Sequence, residues 1–143
     1  MEKYRFLEGL TYADYAFEAF GKSLSELFVN AAIALCACQA ELSTVDPVQS
    51  RAVKMTSNQI DQLLFDFLEE IVFVKDAESF LCSRVEAKVT RTSQGFRVAA
   101  TLFGEEIQTK KHQLHNDIKS VTYHLFKVEQ ISDGWRAQVI LDV

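Results

Sequence analysis

The chain has 143 residues, of which 48% are hydrophobic and 24% charged, and its formal net charge is −5. This size and balance are typical of one globular domain, so we expect a single domain over residues 1–143. No stretch approaches the roughly 18 apolar residues of a membrane span, and the only compact basic run is "KKH" at residues 110–112. Direct, tight binding to nucleic acid is therefore disfavoured, whereas a metal ion or a basic partner protein suits the acidic balance.

The first residues lack the basic segment and apolar run of a signal peptide, which favours a cytoplasmic location and reduced thiols for the three cysteines. Cys36 and Cys38 are two residues apart, so on a helix their side chains would point about 200° apart and could not share a metal ion. We interpret both as small buried hydrophobic residues.

The first third of the chain carries two patterns. An aromatic-rich segment with alternating residues predicts a strand that ends near Gly21. Ser23, followed by Glu26 three residues later, is the signature of a capping box, and apolar residues at helical spacing follow it. These signals predict a helix over residues 23–40, and Pro47, the chain's only proline, breaks the pattern after it.

A short strand over residues 50–55 and a second helix over residues 58–74 are predicted next. Ser57 or Asn58 would cap this helix, since either side chain can accept a hydrogen bond from a backbone N–H group. The acidic residues of the helix fall largely outside its apolar stripe, so we expect them on a solvated face. They are Asp61, Asp66, Glu69 and Glu70.

In the second half of the chain, apolar and polar residues alternate, which is typical of strands. Alternating residues lie around 81–91, 96–102 and 118–131, and Gly104 ends the second of these runs. A polar linker, residues 105–117, precedes the third run, and the turn "SDG" introduces a last strand.

Two helices and about seven strands, mostly joined by hairpins, predict an α+β fold. We expect a two-layer sandwich in which the two helices pack on one face of a mixed, mostly antiparallel sheet. Two successive strand–helix–strand stretches also hint at an internal duplication, although their sequence identity is too weak to establish one.

The last strand ends on Asp142 and Val143, so a side-chain carboxylate stands beside the terminal one. Asp14 stands on the more polar face of the first alternating strand. If the two strands are neighbours, these carboxylates could converge, and a hard divalent cation with oxygen ligands would relieve their repulsion. Otherwise Asp14 and Asp142 are two unrelated surface aspartates.

The sequence shows no catalytic motif. It lacks a Gly-rich phosphate loop and a G-x-S-x-G elbow. His112 and His115 fall in a segment, "KKHQLHND", with the composition of a loop, and a zinc site there would need at least one further ligand. We therefore interpret these two histidines, and His124, as plain surface residues.

Several segments, taken in order, resemble the archease family over nearly the whole chain. They are "TYADYAFEAFGKSLSELFVNAA", "VDPVQS", "DQLLFDFLEEIVFVKD", "GEE" at 104–106, "KH" at 111–112, "IKSVTYH" at 118–124 and the ending "VILDV". The specific part of this resemblance is the lysine–x–valine–threonine–tyrosine block combined with an ending of aspartate plus one aliphatic residue.

This resemblance implies a non-catalytic cofactor protein of the tRNA-splicing ligase, which joins a 3′-phosphate or cyclic-phosphate end to a 5′-hydroxyl with GTP. Archeases promote guanylylation of that ligase and its repeated turnover, so the chain would meet tRNA only indirectly. An alternative that the family also suggests is a chaperone-like modulator of a tRNA cytosine-5 methyltransferase.

The resemblance also implies site residues. Asp14, Asp142 and the terminal carboxylate of Val143 match the family's ligands of a divalent cation, usually calcium, with magnesium and manganese as other candidates. Lys119 matches a functionally important lysine, which would contact the partner ligase or a nucleotide phosphate.

Two further positions are left open by the resemblance. His112 matches a family histidine to which we assign no role. The histidine–threonine pair that commonly precedes the alanine–aspartate pair of the family is replaced here by Thr11 and Tyr12. This replacement would alter the surroundings of the cation or the coupling to the partner.

Overall fold

The computed structural model describes residues 2–8 and 15–143. The described residues form two α-helices and seven strands. Their bounds are β1 (Tyr4–Leu7), β2 (Tyr15–Gly21), α1 (Leu24–Gln39), β3 (Gln49–Ser57), α2 (Ile60–Glu78), β4 (Phe80–Thr92), β5 (Gly95–Glu106), β6 (Ser120–Ile131) and β7 (Gly134–Asp142). A 3₁₀ turn at Leu42–Thr44 lies between α1 and β3.

The strands form two antiparallel sheets. The strand order is β1-β2-β7-β6 in the first sheet and β3-β5-β4 in the second, and every strand pair in the described residues is antiparallel. The prediction of an α+β fold with two helices packed on mostly antiparallel strands is confirmed. The strands divide between two sheets instead of sharing one, which alternation could not reveal because it does not say which strands pair.

Two strand boundaries differ from the sequence prediction. The opening segment contains a separate strand, β1, which pairs antiparallel with β2. β5 does not end at Gly104 but continues through it to Glu106. The glycine is required there for a different reason, since a Cβ at Gly104 would lie 1.7 Å from the Leu81 carbonyl oxygen. Gly104 therefore permits a close approach of β4 to β5.

α1 joins the two sheets, because it packs against β2 of the first and β4 of the second. It begins as predicted, with the Ser23 hydroxyl accepting a hydrogen bond from the Glu26 N–H group at 3.1 Å. Cys36 and Cys38 are buried in the core, also as predicted. Burial raises the pKa of the Cys38 thiol to about 12, so this group stays protonated at neutral pH.

α2 packs on the second sheet and also contacts β6. It runs from Ile60 to Glu78, past the predicted end at residue 74. Its N-cap is Gln59 rather than Ser57 or Asn58, although the Ser57 hydroxyl accepts a hydrogen bond from the Gln59 N–H group at 3.3 Å. Among the described residues, no helix is long and apolar enough to cross a membrane.

One acidic residue of α2, Glu69, bonds to a strand of the first sheet. Glu69 is half-buried, and its Oε1 atom accepts a hydrogen bond from the Val121 N–H group. Val121 belongs to β6, which forms an edge of the first sheet. The Glu69 carboxylate therefore satisfies a backbone donor on the open side of that edge, and the prediction of a solvated side chain is wrong for this residue.

Replacing Glu69 with alanine should lower the free energy of unfolding by roughly 1–3 kcal/mol, because the Val121 N–H group is left without its acceptor. Glu69→Gln keeps a side-chain oxygen and should lose less. Urea denaturation measures both changes. Glu70→Ala is the matched control and should cost less than about 0.5 kcal/mol; equal losses in Glu69→Ala and Glu70→Ala would contradict this role.

Candidate functional site

Lys119, Asp142 and Val143 lie together at one end of the first sheet. β7 runs between β2 and β6 and ends at Asp142, which pairs with Ser120. The Lys119 N–H group donates a hydrogen bond to the Asp142 carbonyl oxygen at 2.8 Å. Val143 is half-buried and packs against the core. The β6–β7 pair thus brings together three of the four residues predicted for the site.

Asp14, the fourth predicted residue, lies outside the described residues, as do Thr11 and Tyr12. The next residue in the chain, Tyr15, begins β2 and pairs with Leu141, which directly precedes Asp142. The strand that follows Asp14 is therefore adjacent to the last strand, which is the condition on which a shared site depends. The position of Asp14 itself stays a prediction from the sequence.

The side chains of Asp142 and Lys119 are both exposed. Neither forms an ion pair with any other residue in the ranges 2–8 and 15–143. Within those ranges, no group of three or more His, Cys, Asp or Glu side chains could hold a metal ion. A cation at this end of the sheet would therefore need oxygen ligands besides the Asp142 side chain.

A buried acid–base contact lies in the linker that leads to Lys119. Glu105 and His112 are each only 5% exposed, and the Glu105 Oε2 and His112 Nε2 atoms are 2.9 Å apart. The His112 Nδ1 atom accepts a hydrogen bond from the Gln108 N–H group at 2.9 Å. The hydrogen of the neutral ring therefore lies on Nε2, which donates to the carboxylate.

The prediction that His112 is a plain surface residue is wrong. The linker turns back so that this ring lies against the end of β5, where Glu105 is located. Both residues fall in segments that carry the family resemblance, at 104–106 and 111–112. Nothing in the local pattern pairs them, because the intervening residues form a turn without helical or strand periodicity.

Glu105 has two further partners. It accepts a hydrogen bond from the Asp46 N–H group at 2.8 Å, and its Oε2 atom lies 2.8 Å from the Lys111 Nζ atom. The contacts with His112, Lys111 and the Asp46 N–H group, in that order of size, lower the pKa of the Glu105 carboxyl to about 2. The ionised carboxylate thus ties the linker to the segment that follows α1.

The rest of the linker is fixed to the end of α1. The His115 N–H group donates to the Gln39 carbonyl oxygen at 2.9 Å, and the Asn116 N–H group donates to the Cys38 carbonyl oxygen at 3.1 Å. The side chains of His115 and His124 are exposed, as predicted. These backbone contacts set the course of the chain toward Lys119.

Known proteins of similar sequence cover nearly the whole chain. The Archease protein family matches residues 4–143. The protein archease of Pyrococcus abyssi is 33% identical over 132 residues, which are 92% of this chain and 93% of that protein. The protein archease of Methanosarcina acetivorans is 32% identical over 143 residues, which are 99% of this chain and 97% of that protein.

Two solved structures share the fold. The solution structure of Methanobacterium thermoautotrophicum protein 1598 has a TM-score of 0.88 and 33% sequence identity, and the match covers 100% of both chains. The crystal structure of a Thermotoga maritima protein, described as an archease and possible chaperone, has a TM-score of 0.63 and 18% identity. That match covers 97% of this chain and 98% of the other, and it supports the fold alone.

Acidification should destabilise the protein through Glu105. Because the folded state lowers the pKa of this carboxyl from 4.5 to about 2, its contribution to the free energy of unfolding is complete above about pH 4.5 and is lost as the pH falls toward 2. Urea denaturation from about pH 6 to about pH 3 should show a shallower pH dependence for Glu105→Gln than for the wild type.

The control for this experiment is Glu106→Gln, which removes the adjacent exposed carboxylate. This variant should keep the wild-type pH dependence. A Glu105→Gln protein that loses stability with pH as steeply as the wild type would show that Glu105 is not the group responsible.

Proposed function

The chain belongs to the archease family, and from that membership we propose that it is a non-catalytic accessory protein of a GTP-dependent tRNA-splicing ligase. In this role it promotes guanylylation and repeated turnover of the ligase through a divalent cation held by Asp14, Asp142 and the Val143 carboxylate. The observation that supports this proposal is the pairing of β7 with both β2 and β6. It makes Asp142 a neighbour of the strand that follows Asp14 and of Lys119.

The donor atoms at the end of β7 suit a hard divalent cation. Asp142 offers an exposed carboxylate that is not engaged by a cationic side chain of the described residues, and the terminal carboxylate of Val143 stands next to it. Calcium takes 6–8 oxygen ligands and magnesium prefers oxygen ligands as well. A bound cation would supply Lewis-acid chemistry and positions open to a partner's phosphate or carboxylate oxygens.

Lys119 would act beside the cation and not as one of its ligands. Its backbone is fixed by the hydrogen bond to Asp142, and Ile118 before it is fully buried. The backbone of Lys119 is thereby fixed beside Asp142, and its side chain is exposed. An ammonium group in this position can contact a phosphate of the guanylate or an acidic residue of the ligase.

The state of the buried histidine supports a non-catalytic role. His112 has the nitrogen–carboxylate geometry of a general base, but both ring nitrogens are already engaged, by Gln108 and by Glu105. The ring is buried and has no nitrogen left to exchange a proton with a substrate. This pair therefore fixes the linker instead of reacting.

Asp142→Asn should weaken binding of the divalent cation by roughly tenfold or more, because it removes one of few anionic ligands. Isothermal titration calorimetry with calcium, magnesium and manganese measures this affinity directly. A multiple-turnover ligation assay with the cognate ligase should show a matching loss of stimulation, and Asp14→Ala should behave alike. Asp133→Asn, which removes an exposed carboxylate in another turn, is the control. Full stimulation by Asp142→Asn and by Asp14→Ala would rule out the metal role.

Lys119→Gln should leave cation affinity within about twofold of the wild type, since the ammonium group is not a ligand. Stimulation of ligase guanylylation should fall by roughly tenfold, because the variant loses one charge-assisted contact. Lys110→Gln removes an exposed lysine of the linker and should have no effect. If the Lys119 and Lys110 variants stimulate the ligase equally, Lys119 has no part in the contact with partner or nucleotide.

A further inference from the structure

The outer face of the second sheet carries a group of basic side chains. α2 packs against β3, β4 and β5, and each of these strands has a buried valine in the core: Val53, Val85 and Val98. The residues directly before and after these valines point to the opposite side of the sheet. We call this surface the basic face and define it by Lys54, Arg84, Lys88 and Arg97, with Ala99 and Thr101 at its centre.

The strand register sets the spacing of three of these cations. Lys54 of β3 and Lys88 of β4 both pair with Ala99 of β5, so their Cα atoms are roughly 10 Å apart. Arg97 lies two residues from Ala99 on the same side of β5, about 7 Å along the strand. A groove of about 360 Å³ lies here, and its lining includes Lys54, Lys88 and Ala99 together with the acidic Glu86. The three cations thus surround a small residue and are open to a ligand.

These three cations have no ion-pair partner among the described residues, although one acid, Glu86, lies on the same face opposite Thr101. Lys54, Lys88 and Arg97 are exposed, and none forms an ion pair within the part of the chain that the structure describes. Arg84 differs, because its guanidinium lies 3.4 Å from the Glu86 carboxylate. Folding therefore gathers from three strands three cations without ion-pair partners in the described ranges, and the acid beside them is paired with Arg84, in a chain whose formal net charge is −5.

We propose that the basic face binds the phosphate backbone of single-stranded RNA without sequence preference. Lys and Arg side chains at separate positions can each neutralise a different phosphate, and the Thr101 hydroxyl adds a donor between them. The basic face is the exposed side of a sheet, and it offers no helix to enter a duplex groove.

The composition of the basic face favours RNA over an acidic protein. Protein interfaces are usually centred on aromatic or other large apolar anchors. The centre of this face is Ala99 and Thr101, and the one nearby ring, Phe103, is covered by Arg84, whose Cζ atom is 4.1 Å from the ring centroid. Charge complementarity without apolar anchors suits a polyanionic backbone.

This inference goes beyond the proposed function, in which RNA is met only through the ligase. The basic face belongs to the second sheet, whereas Asp142 ends a strand of the first. The choice of RNA over DNA rests on the proposed function, because the partner enzyme joins RNA ends. Binding to RNA alone is measured without the ligase, so the two proposals succeed or fail separately.

The test is fluorescence anisotropy of a labelled 12-nucleotide RNA titrated with the full chain at several salt concentrations. Three phosphate contacts to a single strand predict a slope of about −2 for log K against log salt, a weakening of about 20-fold from 50 to 200 mM. The variant K54Q/K88Q/R97Q should bind at least about tenfold more weakly at 50 mM. The control K3Q/K22Q/K110Q removes the same number of exposed cations elsewhere and should bind like the wild type.

Three results would overturn the proposal. The wild type could fail to bind the RNA at 50 mM salt, or could bind it with an affinity that does not fall as the salt concentration rises. The control variant could lose as much affinity as the basic-face variant, which would indicate that net charge alone drives binding. Poly-glutamate of equal charge could compete as well as unlabelled RNA, which would assign the surface to an acidic protein. Circular dichroism melts of both variants check the fold, and all six positions are exposed.

Discussion

The carboxylate of Glu105 holds together the part of the molecule on which the candidate site depends. It lies at the end of β5, in the second sheet, and accepts hydrogen bonds from His112, from Lys111 and from the Asp46 N–H group. The linker that starts there must cross to the first sheet and deliver β6 beside the last strand. Because its start is fixed by a buried ionised group, Lys119 reaches the end of β7 by a defined path.

Local sequence signals predicted the elements well and the long-range contacts poorly. The capping box at Ser23, the start of α1 and the alternation of the strands follow from neighbouring residues, and the structure confirms them. Glu69 and His112 were misjudged because their partners lie elsewhere: Val121 is 52 residues from Glu69, and Glu105 meets His112 only when the linker turns back. The split into two sheets was missed for the same reason, since pairing is a property of the whole chain.

The prediction of the candidate site rested on two kinds of sequence information. Alternation suggested that carboxylates at the two ends could meet around a divalent cation, but only the family resemblance pointed to Lys119. The structure supplies the adjacency of β2, β7 and β6. The basic face had no linear signal at all, because Lys54, Lys88 and Arg97 become neighbours only through the β3-β5-β4 order. The net charge of −5 therefore does not reveal that one face of the second sheet is basic.

The contact between Glu69 and Val121 has a consequence for recognition at that end of β6. Many proteins bind a partner by adding a strand to an exposed edge of its sheet, and main-chain hydrogen bonds then hold the added strand. In this protein, the Val121 N–H group at that edge already donates to the Glu69 carboxylate. A partner strand would have to displace this charged group before it could accept a hydrogen bond from Val121. The carboxylate therefore guards this end of the edge strand against main-chain pairing, and side-chain contacts are favoured there.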